Sequence, residues 1–147
     1  MDLHKSYFEK WNISPTTTVE QMPHTLLYIS YTKRVIATQS HAQGLAVLLP
    51  CYVLYLQVVN RMLQLRDKLG TAVTRPSVYD DWIDMYAEGG EFEGKVRDYK
   101  AMVDAVCRSA NTTEFEEMKR HFLVACKLEY MFWDQAMTMM QWPTMRE

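Results

Sequence analysis

Two side chains stand where packing alone would favour leucine. Cys51 follows Pro50 within Gly44–Leu69, the longest apolar stretch of the chain. It shares a helical line with Gly44, Leu48, Tyr55, Val58 and Met62. Glu129 interrupts the stripe Phe115, Met118, Phe122, Ala125, Ala136 and Met140, with Phe132 or Trp133 one turn on. A thiol adds to an electrophilic carbon once a base or positive group draws off its proton. A carboxyl in an apolar face takes up a proton or finds a partner, because its charged form is costly to bury. Such a group can donate a proton near neutral pH. Two plainer readings stand beside these. Cys51 is then a small hydrophobe in a core, and Glu129 an edge residue paired with a lysine or arginine. The sequence places no base next to Cys51.

Other chemistries find little support. His4, His24, His41 and His121 lack metal-ligand spacing and read as surface or capping residues. No Cys-x-x-Cys, His-Glu-x-x-His or glycine-rich phosphate loop is present, so neither a metal nor a cofactor is expected. Lys and Arg number 16 against 18 Asp and Glu, and no long basic run occurs, which argues against nucleic acid as a partner. The three cysteines, Cys51, Cys107 and Cys126, fall in separate apolar patterns and read as free thiols in a reducing compartment. No secretory signal opens the chain. The uninterrupted apolar run Leu45–Leu56 is shorter than the roughly 20 residues of a membrane span. A soluble, cytoplasmic protein is therefore expected.

Helices must position Cys51 and Glu129, since no segment alternates with period two for long. Expected helices are Asp2–Trp11, with Leu3, Tyr7, Phe8 and Trp11 on one side, and Thr25–Thr38, with Tyr28, Tyr31 and Val35 on one face. A loop joins them, with a possible helical turn at Val19–Met22. A long helix begins near Ala42 and stops at Gly70. Inside it Pro50 deprives the Ala46 carbonyl of its donor and bends the axis. Val78–Tyr86 follows, with Ser77 as N-cap and Val78, Trp82, Met85 and Tyr86 as its stripe. Phe92–Ala110 is amphipathic, with Phe92, Val96, Tyr99, Val103, Val106 and Ala110 recurring at spacings of three and four. The last helix runs from Glu114 to about Met140, opened by a Thr113/Glu116 capping box. With 147 residues, 48% of them apolar, the chain can build a core. The class is all-α, in a single domain over residues 1–147. Eleven methionines and nine tyrosines suit either a pocket lining or a plain helical core.

Three blocks then carry a resemblance: Tyr31-Thr32 with Leu-Leu-Pro-Cys51-Tyr-Val-Leu-Tyr55, Tyr79-Asp-Asp-Trp82-Ile-Asp-Met-Tyr86, and Leu128-Glu129-Tyr-Met-Phe132-Trp133-Asp. In these the chain resembles the TenA family, also called thiaminase II. The resemblance implies an all-α, haem-oxygenase-like bundle lacking the family's first helices. It implies a hydrolase in thiamine salvage that releases ammonia from an aminopyrimidine or cleaves thiamine, with no cofactor. Cys51 would be the nucleophile and Glu129 the acid/base at the ring nitrogen. Tyr31, Tyr55 and Tyr86 would line the pocket, and Phe132 would pack near the ring. Family members carry an aspartate and an aromatic residue, in helices preceding this chain's first residue, that have no counterpart here. The alternative is therefore an inactive TenA-like remnant that binds a ligand or partner. Either form would leave an apolar face for a homo-oligomer to cover. A PqqC-like enzyme would share the fold without this cysteine.

Overall fold

The longest apolar stretch becomes the axis of the molecule. The computed structural model describes residues 2–12, 14, 20–72, 74, 76–87 and 89–144. They form α1 (Asp2–Lys10), α2 (Pro23–Thr38), α3 (His41–Leu69), a 3-10 turn (Gly70–Ala72), α4 (Ser77–Tyr86), α5 (Glu91–Ser109) and α6 (Thr112–Thr138). No strand occurs among the described residues, so the class is all-α. α3 packs against α2, α4, α5 and α6.

Local chemistry sets the helix ends. Ser40 Oγ accepts from Gln43 N at 3.2 Å and opens α3, one residue before the expected start. Gly70, at φ 48°, ends it in a conformation that strains other residues. α3 runs unbroken through Pro50, which is fully buried. The cap of α6 lies two residues earlier than the Thr113 box: Asn111 Oδ1 accepts from Glu114 N at 2.9 Å. Ser77 is the first helical residue of α4, not its cap. The expected turn at Val19–Met22 is non-helical over 20–22, and Val19 lies outside the described residues, as does the Leu3 side chain.

α2 has no local side-chain cap. Gln135 of α6 supplies one from across the bundle. Its Oε1 accepts from His24 N (2.9 Å) and Thr25 N (3.1 Å), and its Nε2 donates to Thr25 Oγ1. Two of the free N–H groups that open any helix are thereby satisfied.

Three apolar clusters hold the helices together. Ala46, Tyr99, Val103 and Met118 join α3, α5 and α6. Val35, Val47 and Ala125 join α2, α3 and α6. Val59, Ile83 and Ala87 join α3 to α4. Each fully enclosed valine contributes on the order of 2 kcal/mol. The α4 residue that reaches the core is Ile83, which the expected stripe had passed over; Trp82 and Tyr86 flank it. His121, read as a surface or capping residue, is fully enclosed. By length and composition His41–Ala72 could cross a membrane, because an apolar window continues beyond Leu56. In the fold it is the central helix of the bundle.

Candidate active site

α3 and α6 bring Cys51 and Glu129 together. Glu129 is 2% exposed and meets no lysine or arginine among the described residues. Instead Tyr28 of α2 donates its hydroxyl hydrogen to Glu129 Oε1 at 2.7 Å. Oε2 is buried and has no well-formed hydrogen bond among the described residues, with Cys51 and Trp133 beside the carboxyl. Burial raises the Glu129 pKa above 4.5, and Tyr28, Cys51 and Trp133 offset part of that rise by favouring the carboxylate. The edge-residue reading is thereby replaced by a buried carboxyl held by a neutral donor.

Cys51 is exposed, so it is not a core hydrophobe. Its sulfur nevertheless lies against Glu129. Lost solvation of the sulfur, followed by the nearby carboxylate, pushes the thiol up to about 11. At neutral pH the pair consists of a protonated thiol beside a carboxyl with one free oxygen. A thiol in this state adds to a carbon only after a base takes its proton, and Glu129 is the carboxyl beside it. Cys126, one turn before Glu129 on α6, is also raised, by burial and then by that carboxyl.

An aromatic wall stands next to the pair. Tyr55, one turn after Cys51, packs against Trp133 (ring centroids 5.3 Å apart), Tyr86 (6.0 Å) and Trp82 (6.4 Å). Tyr86 meets Phe92 edge-on at 4.9 Å. Burial raises the hydroxyl pKa of Tyr55 and Tyr86, with Glu129 adding to the rise at Tyr55 and Cys51 to that at Tyr86. Tyr55 and Tyr86, two of these five rings, were expected at the pocket. Trp133, rather than Phe132, makes the ring contacts, and Phe132 is half-buried beside it.

Tyr31 is placed differently from Tyr28. Its hydroxyl meets His121 Nδ1 at 2.8 Å, and Arg34 lies 5.0 Å from its ring centroid. Arg120 Nη2 is 3.2 Å from His121 Nε2. A guanidinium only donates, so Nε2 accepts and the neutral ring carries its proton on Nδ1, toward Tyr31. Burial, then Arg120, holds the His121 pKa below 6.5. Sequence reasoning saw both tyrosines on one face but missed that Tyr28 is the one at Glu129. Both are aromatic, three residues apart, and only the offset between α2 and α6 tells them apart. Among the described residues no group of His, Cys, Asp and Glu could hold a metal ion.

An all-α bundle of the TenA family is what the sequence blocks anticipated, and comparison with known proteins agrees on the family. A family model described as TENA/THI-4/PQQC family matches residues 1–139, and the chain belongs to that family, whose fold is helical and haem-oxygenase-like. The chain is similar to an aminopyrimidine aminohydrolase of Bacillus subtilis (strain 168), 28% identical over 138 residues, covering 92% of this chain and 55% of that protein. It is equally similar to one of Halalkalibacterium halodurans, 28% over 144 residues, covering 97% and 62%. A thiamine biosynthesis multifunctional protein, ThiED, of Corynebacterium efficiens is 28% identical over 143 residues, covering 92% of this chain and 17% of that protein. The chain thus spans less than two thirds of the curated relatives it matches.

Proposed function

We propose that this chain hydrolyses an aminopyrimidine derived from thiamine, releasing ammonia, with Cys51 as nucleophile and Glu129 as proton carrier. The observation that carries this reading is the buried Oε2 of Glu129, which has no hydrogen-bond partner among the described residues and lies beside the Cys51 sulfur. A buried carboxylate oxygen left unpaired is costly, and a ring nitrogen of the substrate would satisfy it. Glu129 then takes the Cys51 proton and passes it to that nitrogen while sulfur bonds to the ring carbon bearing the amino group. The ring-nitrogen proton is relayed to the amino group, ammonia leaves and the ring C=N bond re-forms with sulfur still attached. Water then adds at that carbon, giving one proton to the ring nitrogen through Glu129. The hydroxyl proton passes to sulfur as the carbon–sulfur bond breaks and the carbonyl forms. Tyr28 orients Glu129, while Tyr55, Tyr86, Trp133 and Phe132 flank the ring. Tyr31 supports the site through α2, since its hydroxyl is committed to His121.

Incubation of the purified chain with the aminopyrimidine, followed by an ammonia assay, tests this. Turnover that disappears in both Cys51→Ser and Glu129→Gln supports it.

A second reading has its own observation. No cation lies among the groups that shift the Cys51 thiol, which stays protonated. In this reading the site binds the pyrimidine at Glu129 without turning it over. Saturable pyrimidine binding by calorimetry, without ammonia, would favour it.

A further inference from the structure

Tyr99 of α5 is buried in the cluster that joins α3, α5 and α6, where phenylalanine would pack as well. Its hydroxyl instead donates across the bundle to the Leu45 carbonyl of α3 at 3.1 Å. Leu45 opens the turn that ends at Pro50, whose ring leaves the Ala46 carbonyl without its backbone donor. A helix short of one such bond bends most easily at that turn. Tyr99 ties α3 to α5 there.

The ring of Tyr99 makes a second hold. It stacks on Tyr52, with centroids 4.3 Å apart and planes 9° from parallel. Tyr52 directly follows Cys51, so Tyr99 grips α3 on both sides of Pro50. Tyr52 also stacks at 6.3 Å on Phe92, which meets Tyr86 of the aromatic wall. Successive residues of a helix point about 100° apart. Here Tyr52 points to α5, while the Cys51 sulfur lies against Glu129 of α6. Any roll of α3 that slid Tyr52 across Tyr99 would also carry the sulfur along Glu129. At a side-chain radius of about 5–6 Å, a roll of about 10° moves the sulfur by about 1 Å. Burial, then Tyr52 and Cys51, push the Tyr99 hydroxyl pKa up to about 12, so the thiol lies within its electrostatic reach.

We propose that Tyr99 is a positioning residue, whose bond to Leu45 and stack on Tyr52 fix the roll of α3 that aims Cys51 at Glu129. Its effect reaches the thiol through α3. This role rests on the hydrolase reading for its effect on turnover, but not for its effect on the thiol.

Tyr99→Phe keeps the ring and removes only the bond to Leu45. With iodoacetamide, read by peptide mass spectrometry against pH, Cys51 of this variant is expected to titrate about one pH unit below the parent. At pH 8 it then reacts about threefold faster, because about tenfold more thiolate is partly offset by lower nucleophilicity. Cys126 is the internal reference. For ammonia release kcat should fall about tenfold with KM within about twofold of the parent, since the ring still binds but meets a misplaced sulfur. Val103→Ala, in the same apolar cluster, separates positioning from plain packing. It should lower the urea midpoint at least as far as Tyr99→Phe does, and leave kcat and the Cys51 profile unmoved. An unshifted Cys51 profile in Tyr99→Phe, or an equal shift in Val103→Ala, would overturn the role of Tyr99. A parent chain that releases no ammonia counts against the hydrolase reading instead, and the alkylation profile still decides for or against Tyr99.

Discussion

Two tyrosines of α2, one turn apart, each meet an ionisable side chain buried on α6, yet the two pairs are finished differently. At Tyr31 both nitrogens of His121 are engaged, one by the tyrosine and one by Arg120. At Tyr28 only one oxygen of Glu129 is engaged. A closed polar network rigidifies a core, whereas an open one retains capacity for a ligand. The contrast separates a side chain that holds α2 to α6 from one that can still react, although both are enclosed.

The sharpest way to break this comparison is to remove each α6 group in turn. Glu129→Gln, like Cys51→Ser, is expected to lower ammonia release by about 100-fold or more, with unfolding midpoints near the parent. His121→Ala should instead cost about 2–4 kcal/mol in urea unfolding, through a cavity and an unpaired tyrosine, while turnover per folded molecule stays within a few-fold. A fully stable His121→Ala protein without activity would erase the distinction.

The tyrosines give a smaller effect. Tyr28→Phe and Tyr31→Phe each remove one hydrogen bond, so each should lose about 1 kcal/mol of stability. Only Tyr28→Phe should alter the pH profile. Its hydroxyl favours the Glu129 carboxylate, so its loss raises that pKa further and moves the acid limb of kcat/KM to higher pH. An unmoved limb would place Glu129's proton outside the rate-limiting chemistry.

The least pronounced difference lies in stability against pH. The folded pKa of Glu129 is raised, so its favourable contribution is complete below 4.5 and is lost as pH rises through the folded value. The folded pKa of His121 is depressed, so its contribution is complete above 6.5 and is lost as pH falls through the folded value. Unfolding curves of Glu129→Gln and His121→Phe across pH 4–8 should each flatten the opposite slope.

Periodicity made one member of each pair legible. Glu129 betrayed itself because a carboxyl breaks an apolar stripe, and the order of helices followed from spacing and caps. His121 did not, since an imidazole reads equally well as a surface residue and Tyr31, its partner on α2, lies 90 residues away. The choice between Tyr28 and Tyr31 depends on how far α2 slides along α6, which no local pattern encodes. Cys51 kept its apolar line but proved exposed, because α4 covers the neighbouring line through Val59. Helix ends shifted where caps came from unforeseen residues: Ser40 at α3, Asn111 at α6 and distant Gln135 at α2.

That last cap has a consequence for the order of assembly. The opening amides of α2 wait for a side chain more than 100 positions further along the chain. As the polypeptide emerges during synthesis, α3, α4 and α5 have their local contacts while Tyr28 still lacks its clamp. Closing so long a loop is slow, and its entropy is recovered only when α6 docks. The proton-handling corner therefore closes only when α6 docks, together with the two apolar clusters that Met118 and Ala125 complete.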